Sequence, residues 1–337
     1  MRGEAHLYNA KVRNVSPPEA HIGTLVRVSR LYYELGETQG RIAELVGVTR
    51  PQVSKLLKQA RAEGIVEIRI HDRPAVESAA GPVLRERFRL REVHLAPSHE
   101  GPEELTRRSV GRLAAQVLSS TVRDGAVVGL GDGASVSATA DALPETPSPV
   151  AATIVPLCGG YWFAGPAREP FRRVAEALGA AAHGLLAPGL VDDAATKDAL
   201  IRHAGIRSVL ELWERLDVAL FGIGGRGWGA GSFGDELTRE LDRRQAVGEV
   251  LIAPFDRYGR FIARDALRPR TIAFDAAELR RVPVTIGVAG GASKVAPILG
   301  ALRAGIVTTL VTDAQTAEAV LAADEESADP PQPGLGR

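Results

Sequence analysis

The stretch AVVGLGDGAS (Ala126–Ser135) runs an apolar burst into alternating glycines and then small residues. The same device recurs as VALFGIGGRG (Val218–Gly227) and VTIGVAGGASK (Val284–Lys294). A short apolar run that ends in glycines and opens a helix reads as a buried parallel strand feeding its crossover helix. Around these lie LTRRSVGRLAAQVLSSTV (Leu105–Val122), FRRVAEALGAAA (Phe171–Ala182) and SVLELWERL (Ser208–Leu216), each with apolar residues at helical spacing. Further strands are predicted at TIVPLCG (Thr153–Gly159) and TTLVTD (Thr308–Asp313), with AQTAEAVLAA (Ala314–Ala323) as a closing helix. Strand alternating with helix predicts an α/β fold, doubly wound around a mostly parallel sheet. Ligands of such sheets sit beyond the carboxyl ends of the strands, where these glycine loops fall.

The first loop, Gly129-x-Gly131-x-Gly133, departs from the dinucleotide fingerprint. That fingerprint needs its third glycine one residue later and an acid about 20 residues on, a region occupied here by the proline-broken LPETPSPV (Leu143–Val150). No Gly-Lys-Ser/Thr run exists, so a Walker-type loop is excluded. What remains is a helix start carrying Ser135 and Ser137. Its bare N–H groups and about half a positive charge suit a single phosphate. Glycines serving only a tight strand-to-helix turn are the alternative. Lys294, following the last glycine pair, can reach a ligand above the sheet or simply be a solvated first-turn lysine. Arg226 and Asp235, in the glycine-dense FGIGGRGWGAGSFGDE (Phe221–Glu236), are candidates for sugar hydroxyls or a lid. Trp228 can cover an apolar sugar face or pack in the core.

The 337 residues suit one large domain plus a small one. Hydrophobic residues make up 45% and charged residues 24%, the balance of a globular protein. No apolar run is long enough to span a bilayer, and the N-terminus lacks the apolar stretch of a signal peptide. With the single cysteine, Cys158, this predicts a cytoplasmic protein without disulfides or membrane contact. The seven histidines fall in no metal-ligand spacing, and no metal or cofactor is expected. Net charge is zero but uneven. Residues 1–73 hold 12 Lys and Arg against 8 Asp and Glu, and the rest of the chain is correspondingly acidic. A basic head on an acidic body suggests a polyanionic partner for the head.

That head contains TLVRVSRLYYEL (Thr24–Leu35), TQGRIAELVG (Thr38–Gly47) and VTRPQVSKLLKQARAEG (Val48–Gly64), predicted as three helices. The third has a marked start: Thr49 as cap, Pro51 in the first turn, and Gln52 at capping-box spacing. Val53, Leu56 and Leu57 form its apolar face. From Arg50 to Arg61 there are four basic residues and no acid. Two short helices joined at a glycine, the second basic and polar at its start, describe a helix-turn-helix. Candidate DNA-contacting residues are Thr38, Gln39, Thr49, Arg50, Pro51, Gln52, Ser54, Lys55 and Lys58. Arg50 and Gln52 suit base edges; Lys55 and Lys58 suit phosphates. GIVEIRIHD (Gly64–Asp72) reads as a strand, a wing beside the helices.

RIAELVGVTRPQVSKLLKQARAEGIVEIRI (Arg41–Ile70) resembles, almost position for position, the DNA-binding segment of the SorC-type sugar-binding transcriptional regulators of bacteria. The resemblance continues in the family's order. It runs through VVGLGDGASVSATADAL (Val127–Leu143), IVPLCGG (Ile154–Gly160), LLAPGLV (Leu185–Val191), DVALFGIGG (Asp217–Gly225), AVGEVLIAPFDRYG (Ala246–Gly259) and Gly287–Leu321. It implies an effector domain akin in fold to ribose-5-phosphate isomerase and glucosamine-6-phosphate deaminase. It also implies an operator-DNA partner and a phosphorylated-sugar effector; because one helix-turn-helix reads one half-site, a homodimer or homotetramer is expected. The effector site it implies comprises Gly131, Asp132, Gly133, Ala134 and Ser135 for the phosphate with Lys294. Gly159, Gly160, Arg226 and Asp235 are further candidate effector residues. One departure is visible: where members often carry Trp-Gly in the first loop, this chain has Asp132-Gly133, which adds negative charge beside the phosphate.

The related isomerases use a carboxylate base on the loop after a middle strand; FGIGGRG has no acid there. A sensor without catalytic residues is therefore expected, with an isomerase- or deaminase-like enzyme carrying a DNA-binding head as the alternative. The expected domains are a tail (1–20), the helix-turn-helix (21–73), the effector and oligomerisation domain (74–323) and an acidic, proline-rich tail (324–337).

Overall fold

The computed structural model describes residues 18–66, 78–143, 149–160, 169–226 and 233–328. Its contacts divide the chain into two units, 1–73 and 74–337.

The smaller unit holds three helices, α1 (Pro18–Ser29), α2 (Gln39–Val46) and α3 (Arg50–Ala62), with a π-helical turn at Arg30–Glu34 extending α1. α1 begins earlier than Thr24, inside the stretch expected to be a tail, with Pro18 as its first residue. Proline suits that place because the first N–H of a helix has no intrahelical partner. The Thr38 hydroxyl caps α2 by accepting the Arg41 N–H at 3.2 Å. Gly47 ends it at φ +73°, a left-handed backbone that a side chain would disfavour. Thr49 and Gln52 form the expected reciprocal capping box at the start of α3. Val28, Ile42, Ala43, Val53 and Leu57 make the small core, with Leu56 half-buried at its margin. The strand expected at Gly64–Asp72 falls, from Glu67 on, outside the described residues.

The larger unit is a three-layer α/β structure. Its strands are β1 (Glu92–Ala96), β2 (Val127–Leu130), β3 (Thr153–Pro156), β4 (Ala181–Ala182), β5 (Val218–Gly222), β6 (Ala246–Val250), β7 (Ala253–Asp256), β8 (Val284–Val288) and β9 (Thr309–Asp313). Its helices are α4 (Ala80–Arg87), α5 (Glu103–Thr121), α6 (Ala134–Ala142), α7 (Pro170–Leu178), α8 (Ala194–Ile201), α9 (Ala204–Trp213), α10 (Gly234–Arg243), α11 (Arg264–Leu267), α12 (Val295–Arg303) and α13 (Ala314–Ala328). Seven strands form one sheet in the order β1-β9-β8-β5-β2-β3-β4, every pair parallel.

Strand side chains alternate between two cores. Val128 and Leu130 of β2 and Val218 and Leu220 of β5 pack with α5, α6 and α7; Val127, Ala219 and Phe221 face the other layer. Leu220 and Phe221 are fully buried, and each such side chain contributes about 2 kcal/mol of transfer free energy. The chain runs outward from β2 through β3 to β4, then returns to place β5 on β2's other flank. The reversal between β2 and β5 is a topological switch point, the place where open α/β sheets leave a crevice.

Two features lay beyond the sequence-based expectation. α13 continues past Ala323 to Ala328, into residues expected to belong to the acidic tail. Asp324 is held there by Arg303, at 2.6 Å, and by Arg87. The other is the antiparallel hairpin β6–β7. Its two-residue turn is Leu251–Ile252, with φ of +52° and +64°. A two-residue hairpin turn with both φ positive ordinarily takes Asn-Gly. Here two buried aliphatic residues occupy it, at a cost of about 1 kcal/mol or more apiece.

Candidate functional site

Beyond the carboxyl ends of β2, β5 and β8 lies a cleft of about 740 Å³. The β2–α6 loop supplies Asp132–Ser135, the loop after β5 supplies Gly222–Arg226, and the loop after β8 supplies Gly290, Ser293 and Lys294. Glu103 and Arg107 enter from the first turns of α5, and Cys158, Glu249, Leu251 and Ile252 complete the lining.

Of the expected effector residues, Asp132, Gly133, Ala134, Ser135, Arg226 and Lys294 converge on this cleft. Gly131, Gly159, Gly160 and Asp235 are not in its lining. Gly131 lies beneath it, where a Cβ would stand 3.0 Å from Phe221 and 3.3 Å from Leu251. Gly159 is pressed against the Ala187–Pro188 backbone, and Gly160 bridges to Pro188. Their small size serves the passage of neighbouring chain. Asp235 is exposed in the first turn of α10. Trp228 lies outside the described residues. Arg226 lines the cleft, but its guanidinium donates to Asp242 at 2.7 Å.

The start of α6 carries the chemistry of an anion site. No side chain caps it, and its first residue follows Gly133, at φ +114°. The Asp132 carboxylate accepts the Gly133 N–H at 2.7 Å. Across the cleft, burial holds the Lys294 ammonium below its ordinary range, opposed by the carboxylates of Glu103 and Glu249. A half-buried cation and an open helix N-terminus lining the same cleft favour an anion there.

Sequence reasoning missed Glu103, Arg107 and Glu249. The first two come from α5, upstream of every glycine loop, and nothing in their local sequence marks them. Glu249 does leave a signal: it is an acid inside the apolar run AVGEVLIAPF. Its Oε2 is shut off from solvent without a hydrogen-bond partner. Burial pushes its carboxyl up to about 7, against the pull of Lys294. Such a group donates or accepts a hydrogen bond near neutral pH, as a ligand hydroxyl requires. Cys158 is buried, and burial first, then Asp132 and Glu249, push its thiol up to about 12. A thiol in that state is not a nucleophile.

The Ser293 N–H points at Glu103 Oε1, 3.4 Å away. Glu103 thus offers a carboxylate to the same loop that presents Lys294.

In the smaller unit, Arg50, Pro51, Gln52, Ser54, Lys55 and Lys58 are exposed on α3, and the caps Thr38 and Thr49 are also exposed. Gln39 is half-buried. Gln52 Oε1 accepts the Thr49 N–H at 2.8 Å. Bidentate reading of adenine uses both ends of a glutamine amide, so capping and that contact compete for one oxygen. Among the described residues no cluster suited to a metal occurs, and no helix is long and apolar enough to cross a membrane.

Comparison with known proteins places these features in a lineage. The family described as "Putative sugar-binding domain" matches residues 74–322. The sorbitol operon regulator of Klebsiella pneumoniae is 29% identical over 312 residues, which cover 89% of this chain and 98% of that protein. The deoxyribonucleoside regulator of Bacillus subtilis (strain 168) is 30% identical over 305 residues, covering 88% and 96%. The crystal structure of the full-length sorbitol operon regulator SorC from Klebsiella pneumoniae superposes with a TM-score of 0.72 at 28% identity. That match covers 91% of this chain and 99% of that one.

Proposed function

Because this chain belongs to the sugar-binding family of SorC-type transcriptional regulators, we propose that it binds operator DNA under the control of a phosphorylated sugar. One observation carries the effector assignment: the uncapped start of α6 and Lys294 converge on one cleft at the switch point of the sheet. The phosphate lies between them, with Arg107 adding charge. Glu249 meets a sugar hydroxyl, which supplies the partner that its enclosed Oε2 lacks. No carboxylate of the β5 loop acts as a base, and the ligand is sensed without being transformed.

On the DNA side, α3 enters the major groove. Arg50 and Ser54 face base edges, and Lys55 and Lys58 neutralise phosphates. Gln52 contributes chiefly through its cap, leaving its amide N–H₂ for a single contact. One such helix reads one half-site, so the working form is a homodimer or homotetramer on a pseudo-palindromic operator. For the effector to act as a switch, its affinity must differ between DNA-competent and incompetent assemblies by about 1–3 kcal/mol.

A thermal-shift panel of sugar phosphates on the full chain, followed by DNA-binding assays with any hit, tests the proposal. A ligand selective for the folded state raises the melting temperature, and the same ligand should then alter operator affinity. A panel without any shift removes the effector assignment. The enzyme alternative draws on Glu249, a carboxyl held near 7 inside the cleft. Ketose–aldose interconversion by purified protein would establish it.

A further inference from the structure

The larger unit has a second cavity, of about 250 Å³, which shares the Leu251–Ile252 turn with the effector cleft. No residue assigned above to effector or DNA lines it. Its polar groups cluster. The half-buried Lys197 Nζ donates to the Arg268 carbonyl at 2.7 Å, and Arg264 donates to Asp275 at 2.8 Å. Arg268 stands 3.7 Å from the same Asp275 carboxylate. Three cations thus line the cavity with a single carboxylate, Asp275, which pairs with the two arginines. Burial, and then Arg268, hold the Lys197 ammonium below its ordinary range despite Asp198 and Asp275. The rest of the wall includes Ile262, Leu267 and Phe274.

We propose that this cavity binds a small organic acid, its carboxylate among Lys197, Arg264 and Arg268 and its hydrocarbon body against Ile262, Leu267 and Phe274. The excess of positive charge selects an anion. The apolar wall rejects a sugar phosphate, whose hydroxyls would be buried there without partners. The volume falls just below the range of about 300–1,000 Å³ common for drug-sized ligands, so the acid is small. The shared turn adds weight. Left-handed aliphatic residues persist where surrounding structure over-determines them, a condition concentrated at ligand sites.

Calorimetric titration of the full-length protein with hexanoate, and with uncharged hexanamide as control, tests this. The expected result is saturable hexanoate binding at one site per chain, with hexanamide at least about tenfold weaker. Lys197→Met should weaken hexanoate by a similar factor. If that variant fails to fold, Arg268→Gln carries the same test, since its side chain is 72% exposed and its carbonyl bond to Lys197 is kept. Titration without saturation overturns the proposal. So does equal binding of the two probes, or undiminished binding to a folded charge variant. No sugar phosphate enters the experiment, so its outcome is independent of the regulator proposal.

Discussion

The backbone N–H of Gly291 donates to the buried carboxylate of Asp313 at 2.9 Å, tying the loop that carries Lys294 to the end of the neighbouring strand. The same carboxylate accepts from the Thr316 hydroxyl at 2.6 Å, the Thr316 N–H at 3.0 Å and the Ser98 hydroxyl at 3.2 Å. Asp313→Ala strands these donors in a buried place. The expected cost is about 3 kcal/mol, read as a lowered urea midpoint at unchanged slope. Asp313→Asn should lose less, because one amide oxygen still accepts.

Lys294→Ala removes the half-buried cation of the cleft. The expected outcome is loss of the thermal shift given by a sugar phosphate, with operator affinity in the absence of effector unchanged. A normal shift in the variant would take Lys294 out of the site.

Glu103 offers its carboxylate to the loop where a phosphate would dock. Glu103→Gln should therefore tighten sugar-phosphate binding by roughly two- to fivefold, the scale of an exposed charge interaction. Calorimetry at low and high salt checks it, and the gain should shrink as salt rises.

Glu249 makes stability depend on pH. Its carboxyl is raised from 4.5 to about 7 in the folded chain. Between those values the unfolded chain ionises while the folded chain keeps its proton, so stability falls as pH rises and levels off above 7. The loss amounts to up to about 3 kcal/mol. Glu249→Gln should flatten the profile and leave the unliganded protein more stable at pH 8 than the parent, measured by urea denaturation at each pH.

On α3, Lys55→Ala and Lys58→Ala should each lower the slope of log affinity against log salt by about one and weaken binding to all sequences alike. A slope unchanged in both variants would move those lysines off the DNA backbone.

The frame of the larger unit was legible because buried parallel strands write themselves as apolar bursts with glycines at their ends. β2, β5 and β8 each do so, and the cleft follows from where they stop. β1 was not legible: EVHLA mixes charged and apolar residues because most of it is only half-buried. β4 is two residues long and carries no periodicity. The hairpin hid because Leu251–Ile252 is not a turn sequence. Side chains that reach the cleft from far along the chain, Glu103 and Arg107 above all, become neighbours only through the sheet order. The α3 start was the clearest local signal, since Thr49, Pro51 and Gln52 act within one turn of helix.

The Leu251–Ile252 turn is the partition between the two cavities of the larger unit. Both residues sit at backbone angles that their own side chains resist, and only the packing around them keeps them there. Each residue also walls both cavities, so a substitution at either one reshapes two compartments at once.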